Sequence, residues 1–246
     1  MVDSGMGFLA QSAAVAPITF AHRGARIEER ENTIPAFVYA LARGARGLES
    51  DAWLSADGEV VLVHDAVSWR GLRRVRVEQS AASDLAAFEI PRLVDLYERC
   101  GIDFELSIDA KSRDVARPLL DVARRYGVAN RLWLCSPSVG LLRELRGEGA
   151  DCRLVHSRRR QTLAVPLERH ASDLATWGID AMNMHHTDWS KGLVALFHRF
   201  DVGAFAWDVQ EVRHLRAALT MEVDGVFSDH VDRMVATVAE WSSDLG

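Results

Sequence analysis

The stretch TFAHRGARIEERENTIPAF, Thr19–Phe37, carries the pattern that decides the fold. A short apolar run ends in His22-Arg23, Gly24 follows, and an amphipathic segment begins near Ile34. Thr33 stands where a helix cap belongs and Pro35 falls in the first helical turn. Ile34, Phe37, Val38 and Leu41 recur at helical spacing and share one face. The stretch therefore reads as a strand, a turn and a helix, with two polar groups at the C-terminal end of the strand.

The same rhythm runs along the chain. Strand-like runs are expected at Ile18–His22, Gly47–Trp53, Val60–His64, Phe104–Ala110, Arg131–Ser136, Cys152–His156, Ala181–His185, Gly203–Val209 and Gly225–Ser228. Helical patterns separate most of them, and RPLLDVARRYG and VGLLRELRGEG each end in a glycine suited to a C-cap. Runs such as EVVLVH and GAFAW are nearly all apolar, as strands covered by helices on the outside would be. Roughly eight βα units fit a closed (β/α)8 TIM barrel, with a doubly wound open sheet as the rival architecture. No stretch resembles an interdomain linker, so residues 18–246 are expected to form one barrel domain behind a loose leader over residues 1–17.

Composition narrows the function. The chain has 246 residues, 48% of them hydrophobic, enough for a sizeable core. Its net charge of −6 argues against a nucleic-acid surface, and the one basic run, Arg158–Arg160, is short and reads as a solvated loop. Three cysteines without CxxC spacing do not form a disulfide framework. No apolar run reaches the ~18 residues of a membrane span, and the N-terminus lacks the basic start of a signal peptide, so a cytoplasmic protein is expected.

In a barrel of this kind the site gathers at the C-terminal ends of the strands. Glu49 and Asp51 are two residues apart on one strand and so share a face. Two carboxylates there repel unless one is protonated or a cation bridges them, and an oxygen-seeking ion, Mg²⁺ or Ca²⁺, satisfies both. Asp109 offers a third carboxylate, and Lys111, two residues on, a cation on the same face. The plainer reading is a set of rim ion pairs with Arg43, Arg46 or Lys111. His22 and His64 end their strands and suit proton transfer near neutral pH. Arg23 and Lys111 are pure donors suited to phosphate oxygens. Together these groups describe metal-assisted cleavage of a phosphoester. The other histidines read as structural, with His185 the one candidate for the barrel mouth.

At these residues the chain resembles the glycerophosphodiester phosphodiesterase family. HRG followed by ENTIPAF is similar to the family's first signature, and GLESDAWLSADGEVVLVHD to its second. IPRLVDLYE, SIDAK, AFAWDVQE and VDGVFSDH resemble later segments, so the likeness spans nearly the whole chain. The resemblance implies a (β/α)8 barrel that cleaves glycerophosphodiesters to glycerol 3-phosphate and an alcohol with one divalent cation. It implies His22 and His64 as the acid–base pair, Arg23 and Lys111 as phosphate contacts, Glu49, Asp51 and Asp109 as metal ligands, and Trp207 as an aromatic wall near the glycerol. Gly24 then lets the backbone turn sharply at the rim.

The chain departs from the family pattern in places. Arg30 stands where proline is usual, Asp109 where glutamate is usual, and Trp207-Asp208-Val209-Gln210 replaces Trp-Thr-Val-Asn. The segment after His64, AVSWRGLRRVRVEQSAASDL, lacks the usual Arg-Thr-Thr pattern. Within the class, a lysophospholipid is an alternative substrate, since Trp53, Trp69, Trp189 and Trp207 could wall an apolar tail or belong to the core. A lyase that cyclises its own substrate is a minor variant, and a non-catalytic barrel that binds a phosphodiester is the reading from another class. That last reading leaves both histidines without a purpose.

Overall fold

The computed structural model describes residues 16–243. The expected leader over residues 1–17 lies outside them except for its last two residues. In chain order the strands are β1 (Ile18–Ala21), β2 (Gly47–Leu54), β3 (Val60–Leu62), β4 (Val67–Arg70), β5 (Arg73–Arg76), β6 (Glu105–Ala110), β7 (Leu132–Ser136), β8 (Arg153–Ser157), β9 (Ala181–His185), β10 (Gly203–Trp207) and β11 (Gly225–Ser228). The helices are α1 (Ile34–Ala42), α2 (Ala82–Ala86), α3 (Leu93–Cys100), α4 (Ala116–Arg125), α5 (Val139–Gly147), α6 (Leu167–Thr176), α7 (Lys191–His198), α8 (Val212–Met221) and α9 (Val231–Ser243).

Eight parallel strands close into a barrel in the order β1-β2-β6-β7-β8-β9-β10-β11, and β11 pairs back onto β1 with Ala21 opposite Ser228. The open doubly wound sheet is thereby excluded. Strand β3 is no barrel stave. It runs antiparallel on the far end of β2, with Ala52 opposite Leu62.

Alternation along the strands divides two cores. Phe20, Trp133, Cys135, Val155, Ala181, Phe205 and Phe227 form a compact cluster that fills the barrel interior. Gly47 lies beside the Phe20 ring, where a Cβ would come within 2.6 Å of it. The alternate residues, such as Leu48, Leu106, Ile108, Leu134, Leu154 and Met182, pack outward against the helices. Because Phe20 points inward, His22 two residues later does too, and the same parity holds for Glu49, Asp51 and Asp109.

The helix ends follow the expected chemistry. Gly127 and Gly149 both take positive φ just past α4 and α5, with their N–H groups on Arg124 O and Arg146 O. Helix α1 differs in detail. Thr33 occupies the N-cap position, yet its hydroxyl donates to Arg30 O at 2.6 Å and does not cap the helix. Val38 is 45% exposed, and the buried stripe runs through Ala36, Phe37 and Ala40. Small residues win that face because the backbone of Gly24 and Ala25 passes directly over Ala36, with Ala25 N–H on Ala36 O at 3.0 Å.

The hairpin β4–β5 has no counterpart among the expected strands. It pairs Val67 with Arg76 and Arg70 with Arg73 around a Gly71-Leu72 turn. Its strands are mostly arginine and polar residues, so the apolar alternation that marks a strand is missing. Val75 and Val77 anchor it over a small satellite core with Val61, Leu85, Phe88 and Ile90.

Candidate active site

The sharp turn after β1 builds the first wall of the site. Arg23 and Gly24 take φ of +56° and +76°, and Asn32 takes +55°. A Cβ on Gly24 would lie 2.8 Å from the Cβ of Ala36, so only glycine fits between the strand end and α1. In this conformation Arg23 N–H donates to Glu49 Oε2 at 2.9 Å. The Asn32 N–H reaches back to Arg23 O at 2.9 Å and closes the loop.

Glu49, Asp51 and Asp109 converge, each offering an oxygen within 4.8 Å of the other two. Register explains this: Asp51 lies directly opposite Asp109 across β2 and β6. Their environments differ. Glu49 is pushed up to about 8 by burial and by the neighbouring charges of Asp51 and Asp109, against the pull of His22. Asp109 is raised for the same reasons, burial first and then Asp51. Burial would also raise Asp51, but Lys111 Nζ at 2.7 Å and the Arg23 guanidinium hold it below its usual value.

This set fits a divalent cation. Three carboxylates with oxygens this close, one of them held neutral for want of a counter-charge, are the donor chemistry of a hard ion. Lys111 partly fills that need on the Asp51 side and stands 3.9 Å from Asp109. Arg43 and Arg46, the other possible partners, are engaged elsewhere, Arg43 with Asp232 and Arg46 with Ala16 O.

His22 sits beside this cluster. Its Nδ1 lies 2.6 Å from Asp229 Oδ1, and its Nε2 lies 3.8 Å from Glu49 Oε2. Burial would lower the imidazole, but Glu49 and the Asp229 hydrogen bond outweigh it and raise its pKa above the usual value. Asp229 stays ionised because the His22 contact and Arg26 offset its own burial. With Nδ1 donating to Asp229, Nε2 is the ring nitrogen left facing the cavity.

His64 stands just past β3, about one-third exposed, with Nδ1 2.8 Å from Asp65 Oδ1. The pairing of Val63 N–H with Asp51 O brings it to the same rim, near enough for its charge to act on Asp51 and Asp109. Trp207 lines the cavity with His22, Arg23, Glu49 and Asp109, in a space of about 370 Å³. The tryptophans divide in role. Trp189 is core, its Nε1 donating to Phe205 O, while Trp69 is 58% exposed on the hairpin.

Several residues that sequence reading did not single out complete the site. Asp229, 207 residues from His22, orients it. Glu31 holds Arg23 Nη1 at 3.0 Å, and Asn32 donates to Asp51 Oδ2 at 3.2 Å while accepting from Ser50 Oγ. The signals lay in quoted motifs, the Glu-Asn-Thr and the closing Ser-Asp, but their partners depend on barrel closure. Among the buried polar atoms without a hydrogen-bond partner, Arg23 Nε and Asn183 Oδ1 belong to residues that line the cavity, and of these Arg23 Nε faces Asp51 Oδ2 in an ion pair at 3.4 Å. Asn183 Oδ1 is thus left with accepting capacity toward the cavity.

A closed (β/α)8 barrel with carboxylates, a carboxylate-oriented histidine and basic groups at its C-terminal mouth defines a barrel of the phosphoester-handling kind. Residues 22–131 match the glycerophosphoryl diester phosphodiesterase family. The chain is 24% identical over 247 residues to a glycerophosphodiester phosphodiesterase of Caldanaerobacter subterraneus, covering 90% of this chain and 97% of that one. A solved glycerophosphodiester phosphodiesterase of Thermotoga maritima superposes with a TM-score of 0.79 at 24% identity, covering 89% of this chain and 97% of that one. An Oleispira antarctica phosphodiesterase, solved in complex with the product sn-glycerol-3-phosphate, superposes at 0.78 with 16% identity and covers 91% and 97%. Over residues 22–131 the chain is thus similar to the glycerophosphoryl diester phosphodiesterase family, and over most of its length to solved barrels of that kind in fold.

Proposed function

We propose that this protein is a metal-dependent glycerophosphodiester phosphodiesterase, releasing glycerol 3-phosphate and an alcohol. The observation that carries this reading is the convergence of Glu49, Asp51 and Asp109 beside the Asp229-oriented His22 in one cavity. Glu49, Asp51 and Asp109 would hold one Mg²⁺ or Ca²⁺, which supplies charge stabilisation to phosphoryl oxygens. His22 and His64 exchange protons with the attacking and leaving oxygens. Lys111 spends one donor on Asp51 and keeps others for phosphate, and the Arg23 guanidinium, paired with Glu31 and Asp51, turns its remaining N–H donors to the same group. Trp207 walls the glycerol side, and Asn183 Oδ1 accepts from a glycerol hydroxyl. The sparse cysteines, all three unpaired, fit a cytoplasmic setting. Among the described residues no helix is long and apolar enough to cross a membrane.

A second reading, cleavage of lysophospholipids, has its own support. The hairpin that follows His64-Asp65 exposes Trp69 and all of Leu72, an apolar surface of the kind a lipid tail covers. One experiment separates the readings. The purified protein is assayed on glycerophosphocholine and on a lysophospholipid, with and without chelator. Turnover of the diester that chelator abolishes, and that falls at least ~10²-fold in His22→Ala and in His64→Ala, supports the proposal. Chelator-resistant turnover, or near-full activity in either variant, overturns it. Turnover of the lysolipid that is selectively lost in Trp69→Ser/Leu72→Ser favours the second reading.

A further inference from the structure

A separate cluster of ligating side chains stands at the mouth, where β9 and β10 end. His185, His186 and Asp208 each offer a ligand atom within 4.8 Å of the others. We propose that these three residues form a second cation site, for a borderline-soft divalent ion of the zinc class, distinct from the carboxylate cluster.

The geometry carries it in three parts. His185 Nε2 faces Asp208 Oδ2 across 3.0 Å. That is a hydrogen-bond spacing, and the two atoms need part by only ~0.4 Å to reach the ~3.4 Å that separates tetrahedral ligands at roughly 2.0–2.2 Å from one zinc. His185 Nδ1 lies 2.8 Å from Thr187 Oγ1. A metal-bound imidazole characteristically donates its other N–H to such an oxygen, which fixes tautomer and ring angle. Thr187 N–H donates to Nδ1 at 3.3 Å, so with the ion on Nε2 the single ring proton moves to Nδ1, that long contact is given up, and Nδ1–H donates to Thr187 Oγ1 with no net loss of a proton.

Packing holds the third ligand. The His185 and His186 rings lie 4.5 Å apart between centroids, and His214 from α8 stacks on His186 at 4.3 Å. His214 Nδ1 is itself buried without a hydrogen-bond partner, so the cluster has unspent ligating capacity. Asp208 takes φ of +63°, a conformation aspartate tolerates but rarely adopts, and its other oxygen accepts from Gln210 Nε2 at 3.1 Å. The carboxylate is thus held toward the imidazoles from two sides. Two imidazoles and one carboxylate suit zinc, whereas the all-oxygen set of Glu49, Asp51 and Asp109 suits Mg²⁺ or Ca²⁺.

The site also touches the rest of the mouth. Gln210 Oε1 accepts from Asp229 N–H at 2.8 Å, and Asp229 orients His22. Trp207 and Asp208 line the same cavity as His22. An ion on Asp208 therefore stands one hydrogen-bonded residue away from the group that sets His22.

The test titrates Zn²⁺ into chelator-treated protein held in excess Mg²⁺, which occupies the oxygen site. Calorimetry should give one equivalent of Zn²⁺, and Co²⁺ in its place should show the visible bands of an imidazole-ligated ion. His186→Ala and Asp208→Asn should each weaken Zn²⁺ by at least about tenfold, while Glu49→Gln keeps it. Zn²⁺ should raise the melting temperature of the parent and not of His186→Ala, a reading that circular dichroism of each variant accompanies. Failure of the parent to bind Zn²⁺ under excess Mg²⁺ overturns the proposal. So does binding that survives both rim substitutions and is lost in Glu49→Gln, which would put the ion on the carboxylates.

Discussion

Charge at the mouth is set one side chain at a time. Glu49 titrates near 8 because it is buried beside two other carboxylates, while Asp51 is held ionised by Lys111. A cation needs Glu49 as the carboxylate, so below pH 8 binding must displace its proton. Calorimetry in buffers of different ionisation enthalpy should show up to one proton released per Mg²⁺ or Ca²⁺ near pH 6.5, fading above about pH 9. Affinity should rise about tenfold per pH unit over the lower part of that range. Binding without proton release at pH 6.5 would contradict this account of Glu49. Asp229 acts on the other side of the site. It raises His22 and fixes the ring, so Asp229→Ala should lower turnover on the order of tenfold or more, part of the ~10²–10⁴ that acid–base catalysis contributes. With the carboxylate gone, His22 titrates lower, and its limb of the pH–rate profile should move to lower pH, whichever proton role it has. An unshifted profile would sink the positioning role. His22, Glu49, Asp51 and Asp109 were legible in the sequence because the two-residue strand period fixes which side chains point inward. Asp229 was not, because its partner lies 207 residues away and meets it only when β11 closes on β1.

At the scale of elements, the β1–α1 turn is the most constrained connection. Gly24 and Gly58 both have positive φ, yet only Gly24 is crowded, by Cβ and backbone atoms of Ala36 within 3.1 Å. Gly58→Ala should therefore cost only the price of its backbone conformation, about 1 kcal/mol. Gly24→Ala must also push α1 off the strand end and loosen the Arg23 N–H contact with Glu49. Its melting point should fall further than that of Gly58→Ala, at roughly 2–4 °C per kcal/mol for a chain of this size, and activity should fall with it. Equal melting points for the two variants would show that the approach of Ala36 is easily relieved. Barrel strands and capped helices were readable from apolar runs and terminal glycines. The hairpin β4–β5 escaped because register and two valines hold it, with arginines along its faces. The α1 face was misread at Val38 because the close passage of Gly24 and Ala25 selects small residues, which periodicity alone does not weigh.

The whole barrel adds a pH dependence that no single element reveals. The count of βα units was visible in the sequence, but closure, and hence the contents of the layer beneath each helix, was not. His156 faces outward from β8 and meets His170 of α6, Nδ1 to Nε2 at 3.0 Å, both buried. Burial, with His170 beside it, lowers His156 to about 4. The unfolded chain takes up that proton near 6.5, so between pH 6.5 and 4 the unfolded state binds more protons and stability falls as pH falls. His198 works in the opposite sense. Its hydrogen bond to Asp224 raises it, so its contribution is fully present below 6.5 and is lost only as pH rises through its folded value. In the acidic window His198 is therefore flat, and the difference between the parent and a His156 variant reports His156 together with its contact His170, which burial also lowers. In denaturant titrations at pH 7 and pH 4.5, the parent should lose on the order of 2–3 kcal/mol more than His156→Leu. The His156 C2 proton should meanwhile show no titration above about pH 5 by NMR. Parallel losses in parent and variant would mean that His156 can take up its proton without opening the layer between β8 and α6.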